Sequence, residues 1–199
     1  EMANAVHIIG RRIHGRQAQV NVSVNTFVPK PHTPFQWVPL ASSQALREKQ
    51  ALLQRKIRGR GLKLDYSDPE GSLLEAILAR GDRRLGDVVQ RAWELGARFD
   101  AWSDQSDFGA WMRAFAKAGL DPDFYAYRER SAEELFPWEV VDTGVRKRFL
   151  LDEYERSQRR EVLVDCREEC HACGILATFR GARTGEWSCP EPDRPAAGT

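Results

Sequence analysis

Apolar residues recur at helical spacing along most of this chain. Residues 2–14 place Ala5, Ile8, Ile9 and Ile13 on one side, which predicts a helix ending near Gly15. From Val20 to Val28 the period changes to two. Val20, Val22 and Val24 point one way and Asn21, Ser23 and Asn25 the other, as successive strand residues do. A parallel strand covered on both faces is apolar throughout. This one keeps a polar side, turned to solvent or to a polar cavity. Pro29, Pro31 and Pro34 then forbid a helix interior or a central strand. Residues 29–37 are therefore expected to form a stiff, extended loop pinned by Phe35 and Trp37.

Ser42 or Ser43 can cap the next helix, which carries Leu46, Leu53 and Ile57 inward and stops at Gly59 or Gly61. Leu62–Tyr66 alternates again and predicts a short strand. Asp68-Pro69-Glu70 supplies a cap, a proline at the first helical position and an acid in the first turn. Leu73, Leu74, Ile77 and Leu78 are the buried side of that helix, which Gly81 interrupts. Leu85, Val88, Val89, Ala92 and Trp93 give a second amphipathic helix, ending at Gly96. Ser106 opens a third, with Trp111, Met112 and Phe115 inward and Gly119 closing it. Trp93, Trp111 and Phe115 are the expected aromatic core. Asp121-Pro122 starts a short helix, Ser131-x-x-Glu134 has capping-box spacing, and a last long helix is expected over 143–160. From Glu186 onward Pro and Gly are frequent, and the chain is expected to be disordered beyond Cys189.

The fold class is therefore mainly α with a few strands, in three parts. Residues 1–40 hold a helix, a strand and a Pro-rich loop; 41–160 are helical; 161–199 are a cysteine-rich tail. One strand makes no sheet. So 20–28 either pairs with Leu62–Tyr66 or belongs to a sheet whose other strands lie elsewhere.

Hydrophobic residues make up 42 % and charged residues 30 % of the chain, ordinary for a globular protein. No run approaches the roughly 18 apolar residues of a membrane helix, so no membrane partner is expected. The chain starts at Glu1 and no signal-peptide pattern follows. It is expected to be cut from a longer cytoplasmic protein. The net charge of +1 conceals an asymmetry. Residues 1–63 carry eleven Lys and Arg against two acids, and 64–199 carry nineteen against twenty-seven. The densest run is Arg47, Lys49, Arg55, Lys56, Arg58, Arg60 and Lys63. Either the two charge sets attract each other within the fold, or the basic third meets nucleic acid or a phosphorylated ligand.

Cys166, Cys170, Cys173 and Cys189 all fall in the last 34 residues. That clustering points to a metal site in a reducing compartment rather than a disulfide framework. Thiolates at Cys-x3-Cys-x2-Cys spacing suit an iron–sulfur cluster, with zinc as the alternative. Cys189 or His171 are candidate further ligands. The same spacing occurs in the cluster that binds S-adenosylmethionine in radical enzymes, but there a whole barrel follows, and only 26 residues follow Cys173. Arg80-Gly81-Asp82-Arg83-Arg84 is either a tight interhelical turn or a source of anion contacts from Arg83 and Arg84. No Ser-His-Asp order and no phosphate-cradling or dinucleotide glycine pattern is present.

Several blocks together resemble one family. Val20-Asn-Val-Ser-Val-Asn-Thr-Phe-Val-Pro-Lys-Pro-His-Thr-Pro-Phe-Gln-Trp37 is similar to the last barrel strand and following loop of radical S-adenosylmethionine proteins with an N-terminal cobalamin-binding-like domain. Asp68-Pro69-Glu70, Arg80–Arg84, Phe99-Asp100-Ala101-Trp102, Gly119–Pro122, Pro137-Trp138 and Asp142–Val145 resemble the helical extension behind that barrel, and Asp165-Cys166 to Cys173-Gly174 its terminal cysteine cluster. The resemblance implies that 1–40 ends the barrel and that Asn21, Ser23 and Asn25 face its cavity. It implies that S-adenosylmethionine, and possibly cobalamin, bind on an N-terminal barrel outside this chain. Cys166, Cys170 and Cys173, with Cys189 as a doubtful fourth, would hold an auxiliary [4Fe-4S] cluster, and the chain alone would be inactive. The alternative is a non-catalytic module, organised by zinc, whose basic N-terminal third binds RNA or an acidic partner.

Overall fold

The computed structural model describes residues 1–100 and 105–181. It is mainly helical, with two strands among the described residues. Two compact units emerge, one of Glu1–Val28 with Pro39–Glu129, the other of Pro29–Val38 with Arg130–Thr199.

The first unit begins with α1 (Met2–His14), then β1 (Val20–Val24), α2 (Ser43–Lys56) and β2 (Leu62–Tyr66). The strands pair in parallel, Val20 opposite Leu62 through Val24 opposite Tyr66. The crossover between parallel strands runs through α2, so β1, α2 and β2 form one strand–helix–strand unit. Pairing with 62–66 is thus the outcome of the two expected for the first strand. The alternation is as read: Val20, Val22 and Val24 are half-buried, while Asn21 and Ser23 are exposed. The strand is shorter than the apolar pattern suggested, ending at Val24 rather than Val28. Beyond it Thr26 N donates to Ser67 Oγ instead of to a strand.

Ser42 caps α2 by accepting from Ala45 N. Asp68 caps α3 (Pro69–Arg80) by accepting from Gly71 N at 2.8 Å. Then follow α4 (Leu85–Glu94), α5 (Phe108–Ala118) and α6 (Pro122–Ala126). The cap of α5 is Asp107, one residue beyond the expected Ser106, and it accepts from Ala110 N at 2.8 Å. At the other end Gly119 adopts φ 65, the left-handed value a side chain resists. The core of this unit gathers Leu73, Leu74, Ile77, Leu85, Val88, Ala92, Trp111 and Phe115, with Val28, Leu40 and Tyr125.

Three expected core positions lie elsewhere. Trp93 is 58 % exposed, and Leu78 and Val89 are also on the surface. The inward stripe of α4 is narrower than its apolar spacing, and Ala92 fills the place against the core that Trp93 would need. The apolar side of α1 is likewise uncovered: Ile8, Ile9 and Ile13 are exposed and its buried residue is His7.

The second unit packs Trp37, Phe136, Trp138 and Leu150 with Val145, Phe149, Leu151 and Tyr154. Phe136 and Trp138 stack at 4.7 Å between centroids, with the Lys147 ammonium 4.7 Å from the Phe136 ring centroid. Residues 29–38 are not extended. They fold into consecutive turns closed by Gln36 N to Thr33 O and Val38 N to Phe35 O. The prolines fix φ without preventing turns. Phe35 and Trp37 do pin this segment, the former edge-on to Tyr154 at 6.0 Å. Ser131 starts no helix: its hydroxyl bonds Glu133, and Glu134 pairs with Arg130 at 3.6 Å. The last long helix, α7 (Lys147–Gln158), is shorter than expected, and α8 (Ile175–Thr178) follows the cysteines. No helix among the described residues is long and apolar enough to cross a membrane.

Candidate functional site

Residues 165–174 are built on local polar contacts. Asp165 accepts from Arg167 N at 2.9 Å and from Arg167 Nε and a terminal nitrogen at 2.9 and 2.7 Å. Its carbonyl accepts from Glu168 N and Glu169 N, closing a turn around Cys166. The Arg167 guanidinium holds the Asp165 carboxyl below its ordinary value by hydrogen bonding to it. His171 Nε2 lies 2.8 Å from Val164 O. A carbonyl only accepts, so Nε2 carries a proton there and offers no lone pair to a metal.

Cys170 and Cys173 line one depression of about 180 Å³ with Arg146, Ala172, Gly174, Leu176 and Ala177. The lining holds two thiols and one cation. Ala172 has φ 52 and Gly174 φ 113, so left-handed residues flank Cys173 on both sides. A non-glycine residue there is uncommon and costs backbone strain. Successive turn amides of this sort form concavities that receive anionic groups, iron–sulfur clusters among them. The turn is docked on the start of α7, with Arg146 N donating to Cys173 O at 2.8 Å. Gly174 permits that approach, since a Cβ there would lie 2.6 Å from Gly144 O.

The structure thus brings Cys170 and Cys173 together. Cys166 is exposed and outside that lining. Cys189 and the pair Ala101-Trp102 lie outside the described residues. No group of three converging His, Cys, Asp or Glu side chains is formed among the described residues. Two thiols share that lining, and the third, Cys166, sits four residues upstream of Cys170 on the adjoining turn.

Asn21, Ser23 and Asn25 are all exposed, and Asn21 and Asn25 line different hollows. Asn21 lines a small one with Gln19, Gly61, Leu62 and Lys63. Asn25 lines a larger cavity of about 390 Å³ at the carboxyl ends of both strands, with Lys49, Gln50 and Tyr66. Asn25 Oδ1 also accepts from Ser67 Oγ at 3.2 Å. The seven residues of the basic run are all exposed, on α2, on the turn leading to β2 and, for Lys63, on β2 itself. Arg47 reaches Glu70 at 3.7 Å, a surface pair of little energetic weight.

The Arg80–Arg84 segment is a turn more than an anion site. Arg80 is buried, and Asp82 accepts from Arg84 N at 2.9 Å and from its guanidinium at 2.7–3.1 Å. Arg84 also lies 5.8 Å from the Phe124 and Tyr125 ring centroids. Arg83 is exposed. The Arg84 side-chain hydrogen bond holds the Asp82 carboxyl below its ordinary value of 3.8. A carboxyl depressed by folding stabilises the fold above its unfolded value, and that contribution is lost as pH falls through the folded one. In a carbon-detected NMR titration Asp82 is expected to show a depressed midpoint that rises in Arg84→Ala. An unchanged midpoint would break the link between the two groups.

A signal missed in the sequence lies in the second unit. Gln36 and Thr143, two polar residues in aromatic and apolar surroundings, line a cavity with His32. Their shared place on this cavity becomes visible only once 29–38 packs against 136–150.

No family model matches this chain, and no solved structure matches it. Over 67 residues, 34 % of the chain, it is 31 % identical to an uncharacterised protein of the archaeon Methanocaldococcus jannaschii. The matched region is 15 % of the length of that relative.

Proposed function

We propose that this chain is the C-terminal part of a radical S-adenosylmethionine iron–sulfur protein. The observation that carries the reading is the parallel β1–α2–β2 unit. Purely parallel sheets are normally many-stranded and covered on both faces. Here, among the described residues, the sheet has two strands, and its polar side and the apolar side of α1 are exposed. Those are the surfaces that a strand–helix barrel preceding β1 would cover, with β2 rather than β1 as its last strand. Barrel enzymes place their sites at the carboxyl ends of strands, where Asn25 and the Thr26–Phe27 segment lie.

In this reading Cys166, Cys170 and Cys173 hold an auxiliary [4Fe-4S] cluster, with Cys189 as a further candidate ligand. The cluster would supply electron-transfer chemistry. The chain's own part is to offer two thiols in a concave turn and to hold that turn on α7 through Arg146 N. S-adenosylmethionine would bind on the preceding barrel, with cobalamin as a further candidate there. No described residue is assigned a catalytic role.

The test is iron, zinc and acid-labile sulfide content after anaerobic purification, with the visible spectrum, for this chain and for Cys166→Ala/Cys170→Ala/Cys173→Ala. Iron with sulfide and broad visible absorption, lost in the variant, is the expected result. A colourless protein without metal would overturn the reading. Stoichiometric zinc would favour the second reading, a zinc-organised module. The exposed basic run of α2 supports that second reading, which predicts RNA binding that weakens steeply with salt.

A further inference from the structure

The second unit contains a half-open cavity of about 220 Å³, lined by His32, Gln36, Glu139, Asp142, Thr143 and Lys147 over an apolar floor of Val141, Val145 and Leu150. It involves none of the cysteines. Its walls carry polar groups that the fold leaves unused. Gln36 is 2 % exposed. Its Oε1 accepts from Trp138 Nε1 at 2.8 Å and from His32 N at 3.2 Å. Two donors on one atom fix the orientation of the carboxamide. The opposite end, Nε2, therefore points two N–H groups away from those partners, and no described residue accepts from it. The Thr143 hydroxyl lies on the same cavity, buried and without a hydrogen-bond partner. Gln36 Nε2 opens on the cavity, and a buried polar group such as the Thr143 hydroxyl is nearly always satisfied, so the pair calls for an occupant. His32 is held beside them at φ 54, a left-handed backbone value that its bond to Gln36 maintains.

The charges around the cavity limit the occupant. Lys147 is spent on Glu139 at 2.6 Å and on Glu134 O at 2.7 Å. Asp142 adds a carboxylate whose Oδ1 accepts from Gly144 N. No lysine or arginine of the lining is left unpaired to neutralise an anion, and the groups turned to the space include a neutral amide and a neutral hydroxyl. The volume lies below the roughly 300–1,000 Å³ of drug-sized pockets. We propose that this cavity binds a small, uncharged molecule bearing an amide-type edge, a carbonyl acceptor beside an N–H donor. The carbonyl accepts from Gln36 Nε2. The donor reaches the Thr143 hydroxyl or the free oxygen of Asp142. A free small molecule fits better than a peptide segment, because so small a space holds few atoms beyond the recognised edge.

Nicotinamide is a suitable probe, with nicotinate as its near-isosteric anion and N-acetyl-alanine-N-methylamide as the peptide-like arm. Binding is followed by saturation-transfer NMR and chemical-shift changes on the intact chain. Nicotinamide is expected to bind with a Kd of about 1 mM, shifting Gln36 and Thr143 signals. Nicotinate is expected to bind at least about ten-fold more weakly, because Asp142 repels it. Gln36→Glu keeps the acceptor for Trp138 and His32 but turns the free edge into an acceptor, and should abolish binding. Thr143→Val tests the site without that buried charge. It should weaken binding about five-fold and leave the unfolding temperature unchanged, since the hydroxyl bonds nothing in the protein. Equal binding of nicotinate, undiminished binding in Thr143→Val, or no binding of nicotinamide would each overturn the proposal. Binding of the blocked peptide alone would replace the small molecule with a peptide ligand and overturn it equally.

Discussion

Phe115→Ala is expected to cost about 3–5 kcal/mol of unfolding free energy, and Trp93→Ala less than about 1 kcal/mol. Both residues follow the same apolar spacing on neighbouring amphipathic helices, and both read as core from sequence. Phe115 is 1 % exposed and belongs to the buried cluster, on α5, which packs against α4. Removing its ring leaves a cavity that packed helices collapse into only in part. Trp93 stands on the outer side of α4, with the Arg98 guanidinium 5.2 Å from its ring centroid. An exposed cation–ring contact contributes about 0.5–1 kcal/mol. Urea unfolding separates the cases if the slope stays constant while the midpoint moves. A large loss for Trp93→Ala would mean that its ring is buried, contrary to the structure.

That pair shows where sequence reading succeeds and where it stops. Elements with their own local signals were legible. Asp68-Pro69-Glu70 fixed the start of α3, Gly119 the end of α5, and the alternation of 20–24 the two sides of β1. Each depends on backbone chemistry within a few residues. Lateral position around a helix was less legible. The α4 pattern has apolar residues wider than its contact stripe, and only the neighbouring helices decide that Ala92 goes inward and Trp93 outward. The α1 stripe failed for a related reason, because an apolar face says nothing of whether a partner is at hand. The Pro-rich segment misled because proline restricts φ but leaves turns open, and His32, Gln36 and Thr33 use that freedom. Of the candidate site, the Cys-x2-Cys-Gly turn was visible as spacing. Its docking through Arg146 N and Gly144 was not, since no local pattern announces contact between segments thirty residues apart.

The second large effect is expected at Arg80, where alanine should cost about 3–5 kcal/mol and methionine no more than about 1–2 kcal/mol. Arg80 is 0 % exposed, on the last turn of α3 beside the Arg80–Arg84 segment. A terminal nitrogen donates to Ala126 O at 2.7 Å, tying α3 to the end of α6. The carbonyl also accepts from Leu40 N at 2.9 Å, so losing Arg80 does not strip it of every donor. The larger loss is volume. Arg80 heads the fully buried side chains by size, ahead of Phe115 and Ile77. Its aliphatic stem packs as a hydrophobe does, while the head lies at a helix C-terminus, where the macrodipole favours a cation. Alanine removes both stem and head and leaves a fully buried cavity at the end of α3. Methionine restores most of the stem and removes the cost of desolvating a charge, which often makes such replacements close to neutral. If methionine proves as costly as alanine, the hydrogen bonds of the guanidinium, and not its packing, hold α6 to the unit. Near-native stability of Arg80→Ala would instead show that the side chain reaches solvent, and would remove Arg80 from the core.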